Sequence, residues 1–255
     1  MRFLCLPGAF GNAKNFEVQL APFCKEFASS NSTTFFFTQG EYKYTPPPGF
    51  LDYFGPPPHY RFIESDSTRQ NDMLERVRDF PEGENAEDVM RKLVSQGQEE
   101  IHKSADKALD ALYRTMDEHG PFDSIAAYSE GAMMAGTLIL DEQRRFQEEG
   151  RERHIKFAVF FAGWPPLNPE SNELVLSDTS EELIDIPTCH VVGANDPYLH
   201  GAMGLFNVCD QNSAILFDHG KGHTIPRNAQ TLKELGDVVR GIAAESTQVV
   251  GLDTK

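Results

Sequence analysis

The chain has 255 residues, 23 basic and 39 acidic, for a formal charge of −16, with 40% hydrophobic and 24% charged side chains. That length and balance suit one globular α/β domain with a sizeable core, residues 1–255 being read as a single unit. The charge repels phosphate backbones and anionic headgroups, so neither nucleic acid nor a membrane surface is expected as a partner.

Taken in chain order, "RFLCL" (2 to 6) reads as a buried first strand and "PGAFGN" as the glycine-bearing turn after it. "AKNFEVQLAPFCKEFA" has helical spacing, and "TTFFFTQ" (33 to 39) is a second strand rich in β-formers. From about 40 to 86 the periodicity fails in a proline- and aromatic-rich stretch, "KYTPPPGFLDYFGPPPHYRF" and beyond. So long an irregular segment inside a compact domain is uncommon and usually functional, so a cap or one wall of a binding cleft is expected there.

Residues 86 to 120 are helix-compatible, with Gly97 an expected interruption and Gly120 a stop. "SIAAY" then leads into Ser129 and a helical run, and "KFAVFFAGW" is a near-continuous apolar strand. "IPTCHVVG" and "SAILFDH" are two more strands, and "NAQTLKELGDVVRGIAAES" a closing helix whose tail frays. Strands alternating with helices predict a mostly parallel central sheet flanked by helices.

Cys5, Cys24, Cys189 and Cys209 form no C-x-x-C pair and read as structural, with Cys5 and Cys189, in strand-like apolar runs, as buried free thiols. No metal and no cofactor is expected. "MRFLCLPGAFG" is too short an apolar run for a signal peptide, and no run of about 18 apolar residues exists, so a cytoplasmic location is expected.

In parallel sheets, chemistry gathers where strands deliver loops at their carboxyl ends. Ser129, Asp196 and His223 lie at three such ends, in the order Ser, Asp, His. A serine hydroxyl needs an imidazole to take its proton, and the imidazole needs a carboxylate to fix its tautomer and balance its charge. A tight strand-to-helix turn must lift the serine clear, which small residues two before and two after allow. Gly131 meets that need, and Ala127 adds one methyl.

Each residue also has a plainer reading. Ser129 could cap the helix, Asp196 could close a turn, and His223 could sit on the surface. His219 is the rival base, and Asp185, Asp210 and Asp218 are weaker acids. The oxyanion of acyl transfer would be met by the backbone N–H groups of Ala9 and Glu130, with Gly8 letting the turn approach closely. Glu130 also brings a carboxylate beside that oxyanion, which the helix N-terminus offsets in part.

Together, "FLCLPGAFGNAKNF", "GPFDSIAAYSEGA", "FFAGWPP", "IPTCHVVGANDP" and "HGKGHTIPR" resemble the fungal FSH-type serine hydrolases of the α/β-hydrolase fold, over nearly the whole chain. The resemblance implies a Ser129, Asp196, His223 triad and hydrolysis of esters or thioesters. Several members act in fungal secondary metabolism, releasing polyketide products held as thioesters, which would make an acyl carrier domain a partner. This chain departs from the family at Pro7, Ala127 and Glu130, where histidine, glycine and glutamine are usual.

Phe10, Tyr53, Phe54 and Trp164 are candidate walls of an apolar acyl pocket. A small-molecule acyl ester or thioester is the expected substrate. A general carboxylesterase, an acyltransferase and a non-catalytic binding protein on the same scaffold are the rival readings.

Overall fold

The computed structural model describes residues 1–28, 32–46, 54–64, 83–94, 98–171 and 173–249. In chain order it contains β1 (Arg2–Leu6), α1 (Ala13–Lys25), β2 (Thr34–Phe37), β3 (Tyr42–Tyr44), β4 (His59–Arg61), α2 (Ala86–Val94) and α3 (Gln98–His119). These are followed by β5 (Ser124–Tyr128), α4 (Glu130–Glu149), β6 (Phe157–Phe161), β7 (Thr188–Val192), α5 (Leu199–Asn207), β8 (Ala214–Asp218) and α6 (Ala229–Val249). A six-stranded sheet runs in the order β2-β1-β5-β6-β7-β8, every pair parallel, while β3 and β4 form a separate antiparallel hairpin.

Alternation along each strand feeds two cores, because successive side chains leave opposite faces. Phe3 and Cys5 of β1 join Phe16, Leu20 and Phe23 of α1 and Leu235, Val239 and Ile242 of α6. Leu4 and Leu6 of the same strand turn to Leu112 and Met116 of α3 and Met134 and Leu138 of α4. With both faces covered, β6 and β7 are buried at every position, which is why they read as continuous apolar runs. Phe3 ties the α1 side together, stacked on Phe35 at 5.0 Å and edge-on to Phe157 at 5.6 Å. Such aromatic pairs contribute about 0.5–1.5 kcal/mol each beyond their burial.

β1 lies between β2 and β5, so the chain leaves β1 toward one sheet edge and returns to the other side of it. The carboxyl ends of β1 and β5 therefore face a crevice at the reversal of strand order, where parallel sheets place their ligands.

Among its described residues, the irregular stretch from 40 to 86 contains an antiparallel strand pair that its sequence does not suggest. Its hairpin strands, "YKY" and "HYR", are three residues each, too short to show a period. Residues 47–53 and 65–82 of that stretch lie outside the described residues. Helix α5, between the Asp196 loop and the last strand, is likewise absent from the sequence reading. All four cysteines are free, and burial pushes the thiols of Cys189 and Cys209 up to about 12. Among the described residues, no helix is long and apolar enough to cross a membrane.

Candidate active site

Ser129 follows β5 with φ 52° and ψ −119°, a conformation that L-residues rarely adopt. Bonds on both sides hold it there. Its N–H donates to the Phe161 carbonyl at 3.0 Å, and its carbonyl accepts from Ala132 at 2.9 Å and Met133 at 3.2 Å. Gly131 is required by close approach, since a Cβ there would stand 2.4 Å from the Pro7 carbonyl oxygen and 2.6 Å from that of Leu6. Ala127 has no such conflict. It pairs with Leu6 and Phe160 in register, and its methyl is wholly buried in the core beneath α4. The serine side chain makes no capping hydrogen bond to the helix.

It turns instead to His223, whose Nε2 lies 3.3 Å from Ser129 Oγ. The opposite ring nitrogen, Nδ1, is 2.8 Å from Asp196 Oδ2. With Nδ1–H donating to the carboxylate, the Nε2 lone pair is left to accept the serine proton. The Asp196 side chain is 1% exposed and that of His223 17%. Asp196 keeps its orientation because Oδ1 accepts the Tyr198 N–H at 2.8 Å. The imidazole meets the Tyr198 ring edge-on at 4.9 Å, and the Tyr128 hydroxyl donates to the His223 carbonyl at 3.0 Å.

The two loops carrying Asp196 and His223 also grip each other. Asn195 donates from its backbone to the Lys221 carbonyl at 3.0 Å and from its side chain to that of Gly220 at 2.9 Å. Gly193 permits this contact, because a Cβ would come 2.0 Å from the Lys221 oxygen. Asp218, weighed as an acid, accepts the N–H groups of Ala194 at 2.9 Å and Gly220 at 2.7 Å and thereby staples the loops. Asp185 pairs with Arg153, and Asp210 accepts from Asn212. His219, the rival base, has both ring nitrogens buried and without a hydrogen-bond partner, and burial lowers its pKa.

On the opposite side of Ser129 lie the segments of Ala9 and Glu130. The turn after β1 packs on the elbow at Gly8, where a Cβ would be 2.9 Å from the Tyr128 ring. The β4 segment holds this turn: Tyr60 N–H donates to the Gly11 carbonyl at 3.2 Å, and Asn12 Nδ2 to that of Pro58 at 2.6 Å. The Glu130 carboxylate, 7% exposed, does not stand alone. Arg61 of β4, equally buried, reaches its Oε2 from Nη2 at 2.6 Å and from Nε at 2.8 Å. Nothing in the sequence reading singled out Arg61. The only available signal was an unexplained acid beside the serine and an arginine within the aromatic stretch.

The family model described as Serine hydrolase (FSH1) matches residues 1–235. The chain belongs to that family. Esterase FPY3 of Fusarium mangiferae is 24% identical over 98% of this chain and 99% of its own. Esterase FUS5 of Gibberella fujikuroi is 26% identical over 93% of this chain and 85% of its own. Among solved structures, the crystal structure of esterase PE8 superposes with a TM-score of 0.55, at 15% identity, covering 94% of this chain and 92% of that one. This serine hydrolase thus has the α/β-hydrolase fold, and it is an enzyme.

A cavity of about 180 Å³ in this serine hydrolase lies between the β1 turn and the His223 loop, lined by Gly8, Ala9, Phe54, Tyr128, Ile225 and Arg227 among others. Phe54 is the one expected pocket residue found on its wall. Phe10, 3% exposed, packs under Arg61 and against Phe54, its centroid 4.9 Å from that ring. Trp164 stands away from this cavity, with Tyr198 at 6.5 Å and Met90, Leu93 and Leu176 around it. Tyr53 lies outside the described residues.

Proposed function

We propose that this serine hydrolase cleaves a carboxylic ester or thioester through an acyl-enzyme, with Ser129 as nucleophile, His223 as general base and acid, and Asp196 as its orienting carboxylate. The observation that carries the reading is the continuous hydrogen-bonded path from Ser129 Oγ through His223 to Asp196. Ser129 Oγ attacks the acyl carbon while His223 Nε2 takes its proton, and the carbonyl oxygen becomes an oxyanion facing the N–H groups of Ala9 and Glu130. The C–O or C–S bond then breaks, and His223 returns the proton to the departing alcohol or thiol. Water, deprotonated by the same nitrogen, attacks the acyl-enzyme and releases the acid and free Ser129.

The cavity beside Ala9 supports a compact acyl group, with Phe54 as an apolar wall. The resemblance to enzymes that release polyketides from thioester linkage extends the proposal to thioesters, a carrier-bound one included. The formal charge of −16 opposes docking of an acidic carrier, which favours free small-molecule substrates.

Paired assays of p-nitrophenyl esters and N-acetylcysteamine thioesters of matched acyl groups test this. Turnover of either that disappears in Ser129→Ala is the expected result. Equal turnover by Ser129→Ala, or none by the folded wild type, would remove the reading.

A further inference from the structure

The carboxylate of Glu130 belongs to the residue whose N–H is assigned to the oxyanion. An uncompensated negative charge there would oppose catalysis, because acyl transfer gathers negative charge on the carbonyl oxygen in a site poor in water. The structure supplies compensation from another element. Glu130 Oε2 accepts from Arg61 Nε and Nη2, at 2.8 and 2.6 Å, and Oε1 accepts the Phe62 N–H at 2.7 Å. The guanidinium is itself held over two rings, 5.8 Å from the Phe10 centroid and 5.7 Å from that of Tyr44. Facing Glu130 are therefore Arg61 from β4, with Tyr44 of β3 behind it, and Ser129 beside it on the elbow. Beyond Ser129 stand His223 and Asp196.

The same hairpin end touches the other oxyanion segment. Tyr60, adjacent to Arg61, bonds Gly11, and Phe10 of that turn lies beneath the guanidinium. One short strand thus contacts both stretches that carry the donors.

We propose that Arg61 is a positioning residue for acyl transfer: it cancels the Glu130 charge beside the oxyanion and locks the β3–β4 hairpin onto both donor segments. The proposal rests on the serine hydrolase mechanism assigned to the elbow. It predicts an asymmetry that a merely structural ion pair does not. In Arg61→Met the buried carboxylate remains without its cation, and kcat on p-nitrophenyl acetate falls about 100-fold with KM changed by less than about threefold. Adding Glu130→Gln removes the repelling charge and recovers at least about tenfold of the lost kcat. Arg61→Lys retains a cation with a poorer grip and stays within about tenfold of wild type. That variant also carries the test if Arg61→Met does not fold.

A folded Arg61→Met with wild-type kcat would overturn the proposal. So would a double variant no faster than the single one, or a folded Arg61→Lys reduced by about 100-fold. Fluorophosphonate labelling of wild-type Ser129, run alongside, keeps two failures apart. An unlabelled wild type removes the mechanism itself. A labelled wild type with an indifferent Arg61→Met removes only the role of Arg61.

Discussion

On the acid–base side of Ser129, the loops after β7 and β8 position each other. Asn195 bonds Lys221 and Gly220, Asp218 staples Ala194 to Gly220, and Gly193 lets the backbones meet. On the side of Ala9 and Glu130, the proposed oxyanion donors, the turn after β1 and the head of α4 are held by a hairpin inserted far from either in sequence, through Tyr60, Arg61 and Phe62. The first arrangement grows directly out of neighbouring parallel strands, whose register delivers both loops to one level. The second depends on a segment that is no part of the central sheet. On the proposed mechanism, acid–base chemistry is therefore a property of the sheet, while oxyanion stabilisation is a property of the sheet and its insertion together.

The largest expected effects lie at the reacting atoms. Ser129→Ala and His223→Ala should each lower kcat by about 10⁴-fold or more, with little change in Tm, because removing either member disables the unit. Steady-state assays with thermal melts would check this. A residual rate near wild type would break the acid–base side of the comparison. Asp196→Asn should cost about 10³- to 10⁴-fold, since an amide no longer selects the tautomer that leaves Nε2 free.

The glycines at the two loop contacts sharpen the contrast. Gly193→Ala and Gly131→Ala each place a methyl against backbone oxygen, at 2.0 and 2.4 Å, so something must shift. Each is expected to lower stability by about 1–3 kcal/mol, read by denaturant unfolding. Gly193→Ala should slow Ser129 labelling by displacing His223. Gly131→Ala should slow it by displacing the elbow.

A gentler effect concerns pH. His190 of β7 is buried between Phe160 and Phe206, and burial lowers its pKa to about 3. Between that value and the ordinary imidazole value near 6.5 the unfolded chain binds a proton that the native state refuses. This contribution therefore leaves stability intact above about 6.5 and drains it as pH falls toward about 3. His190→Phe should flatten that part of the stability–pH curve. An unchanged slope would contradict the assignment. The smallest effect is expected at His219, whose ring touches neither Ser129 nor Asp196 by a hydrogen bond: His219→Ala should change kcat by less than about threefold. If His219→Ala abolished turnover and His223→Ala did not, the base would have been misassigned.

These regions also differ in how far they can be read from the chain alone. β6, β7 and the first strand are legible because burial on both faces writes an unbroken apolar run. Ser129 and Asp196 are legible because each follows such a strand by a few residues, so one-dimensional spacing fixes their level at the sheet end; His223 follows the half-exposed edge strand β8, which still reads as a short apolar run. Arg61 has no such marker. It sits in a three-residue strand among prolines and aromatics, and its partner Glu130 is 69 residues away. Long-range pairing of this kind leaves no local period. Phe10 and Trp164 lie off the walls of the described cavity, and an aromatic near a strand end packs as readily beside a cleft as within it.

The central claim is that His223, oriented by Asp196, activates Ser129. Treating the folded protein with a fluorophosphonate probe and mapping the adduct by peptide mass spectrometry tests it most directly. A single adduct on Ser129, lost in Ser129→Ala and strongly slowed in His223→Ala, is the predicted result. An adduct on another residue, or none on folded wild-type protein, would contradict it.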